Sequence, residues 1–142
     1  MTYASLAQLT ARYGERMLVQ LTDRDTPATG AVVVAVIDRA LADTDAAIDG
    51  YLAGRYVLPL AETPPLLADL AQAIAIYKLH PYQPDPKIER DYTDAMKQLS
   101  LIATGTIRLP VAGVEPAGSD AAGVMVVDRE RDFTPENLTG FV

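Results

Sequence analysis

The sequence predicts a mainly α-helical protein, a small antiparallel bundle of four to five helices followed by an extended C-terminal arm containing short β segments. Three observations lead there. Apolar residues recur at spacings of three and four through roughly the first 105 positions. Breakers at Gly14, Pro59, Pro64-Pro65, Pro81 to Pro86 and Gly105 cut that pattern into helix-sized pieces. Beyond Gly105 the periodicity stops and Gly, Ala and Pro take over. The organisation that follows is a helical domain over 1–105 and a linker with C-terminal arm over 106–142.

The first helix is read from Leu6-Ala-Gln-Leu9-Thr-Ala-Arg-Tyr13, with Ser5 placed as its N-cap and Gly14 as its stop. A second short helical segment over Glu15–Leu21 turns Met17, Leu18 and Leu21 to one side. Thr22–Gly30 carries two Asp, one Pro and one Gly, the chemistry of a loop. The longest helix runs from about Val33 to Gly54. Its positions Ile37, Ala40, Leu41, Thr44, Ile48, Tyr51 and Leu52 keep a 3.6-residue period, which outweighs the strand propensity of the valines before it. Asp38, Asp45 and Asp49 fall on the other side, with Arg39 and Arg55 nearby.

Val57-Leu58-Pro59-Leu60 is an extended connection, because Pro59 keeps Leu58 out of the helical region. Thr63-Pro64-Pro65 opens the next helix, which runs to about Leu79 and presents Leu67, Leu70, Ala71, Ile74 and Tyr77. Three prolines in His80–Pro86 end it. A last helix, about Lys87–Thr104, packs Ile88, Tyr92, Ala95, Met96, Leu99 and Ile102 and stops at Gly105. Thr106–Pro110 reads as a short extended piece, Val111–Gly123 as a flexible linker and Val124–Arg129 as strand-like. Fully extended, the 37 residues from 106 to 142 would reach roughly 120 Å. That is far more than the width of such a body, so the arm is built to touch a neighbouring subunit or a partner.

A chain of 142 residues suits one domain and folds without metals or disulfide staples. With no cysteine it has neither disulfides nor thiolate chemistry. No apolar stretch approaches a membrane span of roughly 18 residues, and Met1–Ser5 lacks the character of a secretory signal, so a soluble intracellular protein is expected. The net charge is −7, and the 12 Lys and Arg are scattered. Gripping DNA requires concentrated cations, so no specific DNA binding is expected.

The chemistry-bearing residues do not assemble into a catalytic set. His80 is the only histidine and lies in a Pro-rich helix end, where a structural or solvent-facing role is expected. Without a second His or any Cys, neither a His-based metal site nor a Ser-His-Asp relay has its parts, and phosphate-binding glycine loops are missing. Asp45 with Asp49, and Asp91 with Asp94, share helix faces. Such pairs suit a divalent cation or the wall of a water-filled channel, though a solvated helix face is the stronger reading. Seven tyrosines stand against two phenylalanines and no tryptophan. Core positions explain most of them, and Tyr56 and Tyr82, in the connections, are the candidates for an interface. Arg55 is placed to cap a helix C-terminus, favoured over a salt bridge to another subunit. No enzyme, catalytic residue, cofactor or metal site is expected.

Ile48-Asp-Gly-Tyr-Leu-Ala-Gly-Arg-Tyr-Val-Leu-Pro-Leu60 resembles the Mu-like phage and prophage head–tail adaptor family. The resemblance extends to Tyr3-Ala-Ser-Leu-Ala-Gln-Leu9, Tyr13-Gly-Glu15, Leu21-Thr-Asp23 and Pro64-Pro65-Leu66-Leu67. Arg131-Asp-Phe133-Thr134 and Leu138-Thr-Gly-Phe141 look like the family's ending, whereas the linker Val111–Gly123 matches nothing in it. The resemblance implies a homo-oligomeric ring of about twelve copies beneath the portal protein, offering a platform to a stopper or tail-terminator protein. It also implies a place in the virion neck after synthesis in the host cytoplasm, and no membrane partner. The family's portal-docking role carries over to Arg129–Phe141, with Val126, Val127, Arg129, Arg131, Phe133, Leu138 and Phe141 as contact residues. Asp38, Asp45, Asp49, Arg55, Tyr56 and Tyr82 are the candidate inter-subunit or channel-facing residues. DNA would pass the acidic lumen without specific binding. The alternatives are a tail-completion or stopper protein, a helical DNA-binding regulator using Arg12, Arg16 and Arg24, and, more distantly, a metal hydrolase built on the Asp pairs.

Overall fold

A computed structural model describes residues 1–111 of the chain. Among these residues it contains five α-helices and no strand: α1 (Leu6–Tyr13), α2 (Glu15–Thr22), α3 (Val34–Leu52), α4 (Pro65–Leu79) and α5 (Pro86–Ala103). The C-terminal arm and its short β segments lie outside the described residues, apart from the stretch at 106–111, which forms no strand.

Local chemistry accounts for several of the boundaries. Ser5 and Gln8 form a capping box, in which the Ser5 hydroxyl accepts from the Gln8 amide and the Gln8 side chain accepts from the Ser5 amide. Gly14 at φ +86° separates α1 from α2, a conformation that a side chain would strain. At the end of α2, the buried Thr22 hydroxyl donates to the Leu18 carbonyl and accepts from the Val33 amide, tying the start of α3 to the end of α2. Asp23 then accepts from the Thr29 and Gly30 amides and holds the loop closed.

Two expectations need correction. The prolines over 80–86 end α4, but the last of them begins α5: Asp85 is the N-cap, accepting from the Lys87 amide at 2.8 Å, and Pro86 takes the first helical position. A proline is tolerated there because that amide has no helical partner to lose. The second concerns α4, whose burial is not limited to one stripe. Ala73, Ile74, Ala75 and Ile76 are buried in succession, while Tyr77, placed in the core stripe by the sequence, is only half-buried. A helix buried on more than one face is a central one, and only a narrow strip with Asp69 and Lys78 is left exposed. It packs chiefly between α3 and α5, with α1 also against it.

Arg24 at the end of α2 donates to the Leu79 carbonyl, and Val36, Arg39, Lys78 and Leu79 share a cleft with it. The start of α3 therefore lies beside the end of α4, as an antiparallel pair requires. Tyr77 and Tyr92 stack across α4 and α5, with ring centroids 3.9 Å apart. The packed body also runs past Gly105: Leu109 and Val111, from the stretch assigned to the linker, are buried against it.

Candidate functional site

The candidate residues on α3 do not behave as one group. Asp38 is exposed to solvent. Asp45 and Asp49 are half-buried beneath residues 1–4, where the Tyr3 amide donates to Asp45 Oδ1 at 2.9 Å and the Tyr3 hydroxyl donates to Asp49 Oδ1. The solvated face expected for this pair is thus occupied by the chain's own N-terminal segment, with Tyr3 only 2% exposed. Burial pushes the Tyr3 phenol well above its ordinary range, and the Asp49 and Asp45 carboxylates add to the shift. Burial also raises the Asp45 carboxyl, against the opposing hydrogen bond from the Tyr3 amide. Asp23, by contrast, is lowered by its bonds from Thr29 and Gly30.

Arg55, which follows the end of α3, also reaches the end of another helix. Its guanidinium lies against Gly105, which follows the end of α5, so closely that a Cβ at 105 would overlap it. The charge thus lies at the carbonyl end of α5. Tyr56, an interface candidate, is 4% exposed, and its hydroxyl accepts from the Leu109 amide at 3.1 Å. It is a core residue that fastens the 106–111 stretch to the body. Tyr82 stays available at 62% exposed, edge-on to the His80 ring. His80 itself lies with Nδ1 2.7 Å from the Ile76 carbonyl, a structural contact. The arm residues Val126, Val127, Arg129, Arg131, Phe133, Leu138 and Phe141 lie outside the described residues.

The remaining polar candidates are held within the fold. Arg12 pairs with Asp69 at 2.7 Å. Arg24 caps the ends of α2 and α4 through the Leu21 and Leu79 carbonyls. Asp91 pairs with Lys87 at 2.7 Å and does not combine with Asp94. Among the described residues no three His, Cys, Asp or Glu side chains converge as a metal site. No described helix is long and apolar enough to cross a membrane.

What the surface does offer is a cleft of about 480 Å³ between α1, α2 and the start of α5, lined by Arg12, Tyr13, Met17, Asp85, Lys87, Ile88 and Asp91. Sequence periodicity placed Ile88 in the core but had no means of finding this cleft. It depends on how α5 crosses the α1–α2 pair.

Comparison with known proteins follows the whole body and extends beyond it. The family described as Bacteriophage Mu, Gp36 matches residues 3–128. Gene product J of Escherichia phage Mu is 34% identical over 142 residues, covering all of both chains. The Mu-like prophage FluMu protein gp36 of Haemophilus influenzae is 32% identical over 140 residues, 99% of this chain and 98% of that one. Likeness at this level, sustained from end to end, shows that the chain belongs to the Bacteriophage Mu Gp36 family of Mu-like phage proteins.

Proposed function

We propose that the protein is a structural component of the virion neck, a head–tail adaptor that assembles as a ring of about twelve copies beneath the portal. The ring extends the DNA channel and links capsid to tail, and the protein carries out no turnover. The observation that carries this reading is the end-to-end likeness to proteins of phage Mu and a Mu-like prophage, in a chain that continues through residues 112–142 after a packed helical body. A net charge of −7 suits a lumen that DNA must traverse without sticking.

A DNA-binding regulator is disfavoured by the fate of its proposed contacts. Of Arg12, Arg16 and Arg24, the first is paired with Asp69 and the third is engaged by two helix ends. One uncommitted arginine gives little phosphate affinity. A tail-completion or stopper protein remains the second reading, since it calls for the same small oligomeric body.

Imaging the assembled neck with copies counted separates these readings. The adaptor predicts a ring of this chain in direct contact with portal, and a DNA-filled, tailless particle when the gene is lost. A neck without this polypeptide, or one in which it sits only beyond another connector, overturns the adaptor assignment.

A further inference from the structure

We propose that the cleft where the start of α3 meets the end of α4 binds a phosphate dianion, held by Arg24, Arg39 and Lys78. The proposal is independent of the neck assignment, because it rests on side chains of one folded chain.

The three cations are scattered in the sequence and come together only in the fold, with Asp43 as the one acid of the cleft. Arg24 is fixed there by two neutral partners: its Nε donates to the Leu21 carbonyl at 3.1 Å and its Nη2 to the Leu79 carbonyl at 2.9 Å. Carbonyls orient a guanidinium without cancelling its charge, and the Nη1 donors are left for another acceptor. Among the described residues, the side chains of Arg39, Lys78 and Asp43 make no ion pair or hydrogen bond, although Asp43 lies one turn beyond Arg39. Three cations against one carboxylate leave two positive charges uncompensated. The larger cleft beside Tyr13 differs, since its cations Arg12 and Lys87 are paired with Asp69 and Asp91.

Charge and size select the occupant. The cleft holds about 180 Å³, below the roughly 300 Å³ at which pockets for drug-sized molecules begin. That suits a phosphate with part of its hydration and is too small for a whole nucleotide. A phosphate monoester carries close to two negative charges at neutral pH and offers three acceptor oxygens to three cationic side chains. A carboxylate or a phosphodiester brings one charge and leaves a cation over. Val36, Ala40 and Leu79 wall the cleft with apolar surface, which lowers the local dielectric and strengthens each pairing. Free inorganic phosphate and the terminal phosphate of an ester share this chemistry. Arg24, Arg39 and Lys78 are all exposed, so an ester chain has a way out to solvent. One cleft of this kind takes a single dianion, not the run of phosphates along a duplex.

The test is a nitrogen-15 NMR titration of the full-length chain at about pH 8, with chloride matching the ionic strength so that only specific binding registers. Inorganic phosphate should produce saturable shifts at the Val36, Arg39, Ala40, Lys78 and Leu79 amides. Arg39→Gln and Lys78→Gln, both at exposed positions, should each weaken binding about tenfold, as expected for the loss of one charge-assisted hydrogen bond. Lys97→Gln, which removes an exposed cation of α5 outside the cleft, should leave the affinity unchanged. A 5′-phosphorylated dinucleotide separates the two sources. Binding tighter than that of inorganic phosphate assigns the site to a phosphate ester, and equal or weaker binding assigns it to the free ion. Acetate or the 5′-hydroxyl dinucleotide binding as tightly as inorganic phosphate overturns the proposal, by showing that one negative charge suffices. So does a phosphate response that the Arg39 and Lys78 variants leave intact, or the lack of any saturable shift at these amides.

Discussion

Tyr56 lies where the end of α3 meets the stretch leaving α5, and its hydroxyl is the acceptor for a backbone amide 53 residues away. No local pattern announces that partner, which is why a tyrosine in a connection reads as an interface candidate. Tyr56→Phe should leave the buried Leu109 amide unpaired and cost about 1–3 kcal/mol, measured by chemical denaturation. An unchanged midpoint would mean that water satisfies the amide. Tyr3 is the matching anchor at the other end of the chain. Its phenol is raised in the folded protein, so above pH of about 10 the unfolded chain loses that proton first. The stability it contributes is complete below that pH and declines as pH rises beyond it. Tyr3→Phe should therefore make alkaline loss of stability shallower, as followed by thermal melts from pH 8 to 11. A variant as alkali-sensitive as the parent would remove Tyr3 from that account.

At the scale of the helix, α4 and α5 show how context reshapes a sound local reading. The apolar period of α4 was legible, as were its start at Pro65 and its end at Leu79, but a central position fills the other faces as well. Small residues there, Ala71, Ala73 and Ala75, allow neighbours to approach on several sides. Ile74 is fully buried, and Ile74→Ala should cost about 2–5 kcal/mol in a denaturation series, well above the effect of Tyr77→Ala at the half-exposed edge. The start of α5 combines the Asp85 cap with Pro86 in the first helical position. Asp85→Ala should lower stability by about 1 kcal/mol and fray the first turn, seen as faster amide exchange at Lys87 and Ile88. Undiminished protection there would show that Pro86 alone sets the boundary.

For the whole molecule, the packed body reaches Val111, so a truncation must spare the 106–111 stretch to be informative. Removing residues 124–142 should leave the helical circular dichroism signal nearly unchanged, because the five described helices all lie before residue 104. Under the adaptor reading, the same truncation should abolish attachment to portal in a pull-down. Portal binding that survives the truncation would assign docking to the helical body instead, with exposed Tyr82 and Asp38 the first places to look.

The sequence by itself determined a body of four to five helices with their approximate limits, most of the core and the phage family. Those follow from short-range chemistry: capping side chains, glycine and proline geometry, apolar period and a recognisable motif around Tyr51 to Leu60. Tertiary structure alone decided where polar side chains spend their hydrogen bonds. Asp45 and Asp49 hold Tyr3, Arg55 lies at the end of α5, and Tyr56 secures Leu109, each through contacts between residues far apart in the chain. The cleft by Tyr13 and Ile88 has the same origin, since a groove is a property of how helices cross and has no counterpart in any one of them.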